Sequence, residues 1–347
     1  MLSLIHCTYR LAYDYNTLEL EVDMPSNVHD SAANVIRRGL ESVDKMLQDL
    51  ITAPLLFSEV HPSLTMNTGK KEFVPDGAHV VTTRCNPPVR KIASMIEVAF
   101  SQSEAALLDK FRNAIEFYSD LRMILMLVIN EIPPYQSPKP LSHTWKKLRP
   151  RDDKPCHSEV DFLSLRDEPQ SLDAPTPVIV EDHSWCAIAD IQVQVWIKGR
   201  GPINIDTTSK RLTARGSLFP IYDDASMKDV TTLILKGLDL TRDCFIEQCR
   251  HVDKNADVSP LRSAQLPIPF RWSEILDRLI YASQVTAHDR YRSWYNHQLR
   301  AINEEEAKKH AKAMGKRKAD QVETGALNNS RQVRSRTGMI TRAMSRG

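Results

Sequence analysis

KKEFVPDGAHVVTTRCNPPVRKIASMIEVAFSQSEAALLDKFRNAIEFYSDLRMILMLVINE, residues 70–131, holds two β-type runs, a helix and a further β-type run in succession. The runs at 78–84 and 91–98 are rich in apolar and β-branched residues and read as strands. Ser101-Gln102-Ser103-Glu104 forms a capping box, in which a serine hydroxyl and the glutamate carboxylate satisfy the free amides of a helix start. The helix it opens is expected to run to about residue 118, with Leu107, Leu108, Phe111, Ala114, Ile115 and Tyr118 forming its apolar stripe. After a short turn, the apolar run 123–129 reads as the next strand.

Working outward, residues 31–50 place Val35, Ile36, Leu40, Val43, Leu47 and Leu50 at helical spacing behind a cap at Asp30 or Ser31. A strand-like segment follows at 55–60. The order helix, three strands, helix, strand is thereby legible within about the first 130 residues, and the expected class is α/β (α+β) with a mostly helical C-terminal extension. Residues 132–180 hold nine of the chain's twenty prolines with no sustained period, and read as a linker or irregular insertion. Beyond it, 187–198 alternates as a strand, the turn-rich Lys198-Gly199-Arg200-Gly201-Pro202 leads to Ile203-Asn204-Ile205, and a hairpin is expected. Helices are expected at 227–252 and 273–285, with a third opened by a second capping box at Thr286 and Asp289. The organisation expected is a core at 1–131, an insertion at 132–180, a region at 181–306 that either completes that core or caps it, and a basic, largely disordered tail at 307–347.

Composition narrows the class of protein. A chain of 347 residues with 41% hydrophobic content can bury one large or two medium cores. The N-terminus lacks the pattern of a signal peptide and no apolar run approaches a bilayer span, so secretion and a membrane are not expected. Six scattered cysteines without a Cys-x-x-Cys pair suit reduced thiols in the cytosol or nucleus. Residues 307–347 carry eleven Lys or Arg against Asp320 and Glu323, a net of +9, leaving about −7 for the rest. Such a tail suits a phosphate backbone or an import signal, and Lys316-Arg317-Lys318 is the candidate for either. A plain solvated tail is the competing reading.

Asp76 follows a proline at the start of one strand, and Glu97 stands near the end of the next, 21 residues on. Two carboxylates at adjacent strand ends can share Mg²⁺, with the backbone carbonyl of Val98 as a third oxygen. A cation so held lowers the pKa of a bound water and stabilises charge on a phosphodiester, which is nuclease chemistry. The segment resembles the PD-(D/E)XK, or restriction-endonuclease-like, superfamily, whose motif is Pro-Asp, a spacer and Asp/Glu-x-Lys in an α-β-β-β-α-β core. Pro75-Asp76 matches the first part, and Glu97-Val98-Ala99 the second, except that Ala99 stands where lysine belongs. Glu97-Val98-x-x-Ser101-x-Ser103 is more specifically similar to bacterial restriction-endonuclease-like proteins with an E-V-x-S-x-S signature and to related fungal proteins. In that group the lysine commonly comes from the next helix, and Lys110 occupies roughly that place, on the flank of the helical stripe. The resemblance spans about residues 31–131. It implies a catalytic set of Asp76, Glu97 and Lys110 with nucleic acid as the partner; Ala99 leaves open the alternative of a retired enzyme serving as an interaction module.

Other patterns carry less. Glu41 and Glu59 are expected as solvated side chains rather than extra ligands. Asp253-x-Asn255-x-Asp257 begins like a calcium loop, but Val258 stands at the glycine position and Ala264 at the bidentate glutamate. Cys244, Cys249 and His251 lack zinc-site spacing and read as buried thiols with a bystander. Tyr291, Trp294, Tyr295 and Leu299 recur at helical spacing, which favours a packing face over base stacking.

Overall fold

The computed structural model describes residues 10–15, 17–23, 26–51, 56–62, 64–100, 104–151, 155–169, 171 and 173–340. The capping-box residues 101–103 and one of the six cysteines, Cys7, lie outside these, as do two of the tail's arginines, Arg342 and Arg346. In chain order the strands and helices begin with β1 (Arg10–Asp14), β2 (Glu19–Asp23), α1 (Asn27–Asp49), β3 (Leu56–His61), β4 (Met66–Asn67), β5 (Lys71–Phe73) and β6 (Gly77–Thr83). Then come β7 (Arg90–Phe100), α2 (Glu104–Phe117), β8 (Met123–Glu131), α3 (His143–Leu148), α4 (Glu159–Ser164), β9 (Val178–Val180) and β10 (His183–Cys186). The chain continues through β11 (Ile188–Ile197), β12 (Thr213–Phe219), α5 (Asp224–Val252), α6 (Ser259–Ser263) and α7 (Trp272–Ile340).

The main sheet has six strands in the order β12-β11-β8-β7-β6-β3. β3, β6 and β7 form an antiparallel meander, and β7 joins β8 in parallel through α2. β11 and β12 extend the sheet antiparallel from β8. The protein is therefore mixed α/β, with a mixed sheet and a helical C-terminal region. β8 shows why the sequence gives this arrangement: Met123, Leu125, Leu127 and Ile129 enter one core with α1, α5 and α7, while Ile124, Met126 and Val128 enter another beneath α2. A strand buried on both faces needs a continuous apolar run, and MILMLVI supplies it.

Helix α1 starts earlier than the sequence suggested. Ser26 is its N-cap, its hydroxyl accepting from the His29 amide at 3.3 Å. The buried stripe accordingly extends back through Ala32 and Val28. The second expected helix start, at Thr286, does not exist, because α7 is continuous from Trp272. Ile275, Leu279, Ala282, Ala287, Tyr291 and Trp294 form one uninterrupted buried seam, so nothing breaks the helix there. Thr286 and Asp289 instead hold the start of α1: Thr286 Oγ1 accepts from the Val28 amide at 3.2 Å, and Asp289 Oδ2 from Asn27 Nδ2 at 2.7 Å.

The described part of 132–180 is a packed insertion rather than a linker. Leu148, Phe162, Val178 and Val180 are buried in the larger core, and Phe162 stacks on Tyr291 with ring centroids 4.7 Å apart. The region 181–306 completes the sheet, but the hairpin partner of β11 is β12, not residues 203–205. Ile203 and Ile205 bury their side chains under α2 instead, and Trp196 Nε1 donates to the Ile205 carbonyl at 3.0 Å. Residues 301–312 are all exposed, so α7 leaves the body there, and its backbone stays helical to Ile340 through most of the segment expected as a disordered tail. Among the described residues no helix is long and apolar enough to cross a membrane.

Candidate functional site

Asp76 stands one residue before β6, where the ladder to β7 ends. The last paired residues are Gly77 and Ile96, so one further step brings Asp76 opposite Glu97. Pro75 has no N–H to continue the pairing. The Asp76 carboxylate takes over, Oδ2 accepting from the Val98 amide at 2.5 Å. Along β7, Met95 and Ala99 face the core beneath α2, and Glu97, between them in the alternation, shares that face. Helix α2 brings Lys110 to it: Nζ lies 2.7 Å from Glu97 Oε1, 3.3 Å from the Val74 carbonyl and 5.2 Å from the centroid of the Phe73 ring. Asp109, its neighbour, is exposed. The ammonium thus reaches the carboxylate from the adjacent helix, while Ala99 packs in the core.

A fourth residue was not read from the sequence. His29, in the first turn of α1, lies with Nε2 3.1 Å from Asp76 Oδ2 and Nδ1 3.1 Å from Asp30 Oδ1. Ionised carboxylate oxygens only accept, so both contacts are hydrogen bonds at once when both ring nitrogens carry protons. The available signal was positional: 29, 33, 36, 40, 43 and 47 fall on one helical stripe, and a histidine there points inward with Ile36 and Leu40. Asp76 is 1% exposed, Glu97 3% and His29 5%. Carboxylates this deep need partners: Lys110 brings a positive charge to Glu97, and His29 a ring nitrogen within hydrogen-bond distance of Asp76. Half-exposed Asp30 and the Lys110 side chain, 17% exposed, connect the set to solvent.

The donors suit a hard cation. In an extended strand a residue's N–H and C=O leave the same edge, so the Val98 carbonyl leaves on the side where its amide meets Asp76. Two carboxylates and a carbonyl are oxygen ligands of the kind Mg²⁺ accepts, and Mg²⁺ commonly takes its remaining ligands from water. Among the described residues there is no group of three or more His, Cys, Asp or Glu side chains placed to hold a metal ion; the set expected here has two such side chains.

The remaining candidates stay apart from this site. Glu41 is exposed and pairs with Arg37 at 3.5 Å, and Glu59 is half-buried on β3 opposite Val80. Cys244 and Cys249 are buried thiols; burial pushes both up, Cys244 to about 11. Asp253 and Asp257 accept from the amides of Asn255 and Ser259, each at 2.9 Å, making turns between α5 and α6. Tyr291, Trp294 and Tyr295 are buried packing residues. Lys316, Arg317 and Lys318 lie on the helical backbone of α7. A buried Asp44, His79 and Ser58 have the composition of a hydrolase triad, but Asp44 Oδ1 at 2.6 Å and Ser58 Oγ at 3.0 Å meet the same ring nitrogen, Nε2. A relay needs opposite nitrogens, so this trio is a structural knot joining α1, β3 and β6.

No protein-family model matches this chain, and neither does any curated protein or solved structure.

Proposed function

We propose that this chain is a Mg²⁺-dependent, nuclease-like protein of restriction-endonuclease-like, PD-(D/E)XK architecture, acting on phosphodiester bonds of nucleic acid. With only the strands of the main sheet counted, β4 and β5 lying in a second sheet, the succession α1, β3, β6, β7, α2 and a parallel β8 has the order α-β-β-β-α-β and supports the architecture. The observation that carries the activity is the 2.7 Å approach of Lys110 Nζ to Glu97 Oε1, which supplies from α2 the ammonium that Ala99 lacks. In this reading Asp76, Glu97 and the Val98 carbonyl hold the cation. A cation held there would supply a more acidic bound water and positive charge against the scissile phosphate. Lys110 orients the attacking water and balances the charge that develops in the transition state. The basic segment 307–347 adds affinity for the phosphate backbone, and the protein works in the nucleus or cytoplasm.

A second reading, in which the same fold is a non-catalytic module for nucleic acid or protein, is favoured by the depth of Asp76 and Glu97, 1% and 3% exposed. The two part on one assay. Purified protein is incubated with plasmid and single-stranded DNA in Mg²⁺ or Mn²⁺, beside Glu97→Ala. The catalytic reading expects cleavage by wild type alone, and identical products from both proteins would sink it.

A further inference from the structure

We infer that His29 is a positioning residue of this site, holding Asp76 ready for a divalent cation through the chain Asp30–His29–Asp76. The inference rests on the reading of Asp76 and Glu97 as a metal-binding pair. Asp76 sits just outside the β6–β7 ladder, so the sheet's backbone pairing does not fix its carboxylate. Two donors converge on the same oxygen, the Val98 amide at 2.5 Å and His29 Nε2 at 3.1 Å, and together they set the plane of the carboxylate and the direction of its other oxygen.

The mount that delivers the imidazole is itself held at successive points. The His29 amide donates to the Ser26 hydroxyl, the Val28 amide to Thr286 on α7, and the Asn27 side chain to Asp289. At the other end of the ring, Nδ1 is 3.1 Å from Asp30 Oδ1, so a carboxylate lies beside each ring nitrogen. Buried ring nitrogens cost free energy without such partners, and an aliphatic residue would suit that stripe of α1 better if filling the core were the only need. Partners that orient a ligating side chain in this way are typically worth roughly 10–100-fold in metal affinity.

The two ring contacts can be separated by substitution. A glutamine amide nitrogen reaches approximately where Nε2 lies and can still donate to Asp76, whereas an asparagine nitrogen reaches only the Nδ1 position. With the full chain, Mn²⁺ affinity is measured by titration calorimetry, and exchange of the Val98 amide hydrogen by NMR. His29→Asn is expected to weaken Mn²⁺ binding by roughly 10–100-fold and to speed exchange at Val98, while His29→Gln stays near wild type in both. Equal behaviour of the Asn and Gln variants, or Mn²⁺ affinity unchanged in His29→Asn, overturns the inference. Should His29→Asn fail to fold, Asp30→Ala at a half-exposed position carries the test: a smaller loss in the same direction supports the inference and no change overturns it. Failure of the metal-site reading has a separate signature, a wild-type protein that binds no Mn²⁺; the Val98 exchange rates then still decide whether His29 holds Asp76.

Discussion

Replacing Arg290 with methionine isolates the contact that docks α7 onto the end of β8. The guanidinium makes two parallel bonds to Glu131, Nη1 to Oε1 at 2.7 Å and Nη2 to Oε2 at 2.8 Å, and Nη1 also donates to the Trp185 carbonyl at 2.8 Å. It lies 4.5 Å from the Tyr135 ring centroid and 5.5 Å from that of Phe100. Burial alone would lower the pKa of Arg290, but the hydrogen bonds and charge of Glu131 outweigh it and hold the guanidinium above its ordinary value. The Glu131 side chain is 3% exposed, so Arg290→Met strands a buried carboxylate without its cation, at a cost of about 3–5 kcal/mol. Methionine keeps most of the stem volume, which makes lost packing the smaller part. The double variant Arg290→Met/Glu131→Met removes the stranded charge and is expected within about 2 kcal/mol of wild type, since buried ion pairs are often replaceable by apolar residues. Urea unfolding followed by tryptophan fluorescence measures both. A single-variant cost under about 1 kcal/mol, the range of exposed pairs, would refute the reasoning. So would a double variant no better than the single one.

Thr286→Val removes the acceptor for the buried Val28 amide while keeping shape, and is expected to cost about 1–2 kcal/mol by the same unfolding assay, with Thr286→Ser near wild type. Cys244 ionises near 9.0 when unfolded and near 11 when folded. The raised folded value means that this contribution to stability is whole below pH 9 and is lost as pH rises toward 11, on the order of 2 kcal/mol, which a Cys244→Ala comparison in alkaline urea melts would reveal. In native protein at pH 8, a thiol reagent should label half-exposed Cys85 well before buried Cys186 or Cys244; equal rates would contradict the burial.

The main-sheet elements from α1 to β8 were legible because they have strong local signals, among them the stripe of Ile36, Leu40 and Val43, the run MILMLVI, and the stripe Leu107, Phe111 and Ala114, whereas the short strands β4 and β5 between β3 and β6 were not read. What failed was partner choice. Thr286-x-x-Asp289 has the composition of a helix start, but hydroxyl and carboxylate serve equally well on another helix's free amides, and sequence does not say whose. Ile203 and Ile205 look like strand residues, yet their burial comes from lying beneath α2. The prolines of 132–180 obscured how few apolar anchors, Phe162 and Leu148 among them, suffice to dock a segment without regular period. In the candidate site, spacing and resemblance pointed to Asp76, Glu97 and Lys110, which the fold brings side by side. His29 could not, because its role depends on a contact across 47 residues, Nε2 to Asp76 Oδ2.

In the proposed activity, Lys110 supplies the ammonium that Ala99 lacks. Moving the lysine tests it most directly: cleavage of single-stranded and plasmid DNA with Mn²⁺ is compared for wild type, Lys110→Ala and Lys110→Ala/Ala99→Lys. Ala99 lies two residues from Glu97 on the same face of β7, so a lysine there can reach the same carboxylate once the space of Lys110 is vacated. Lys110→Ala is expected to lose about 10²–10³-fold, by analogy with removal of one transition-state charge stabiliser, with partial recovery in the double variant. Cleavage by Lys110→Ala at the wild-type rate would contradict it.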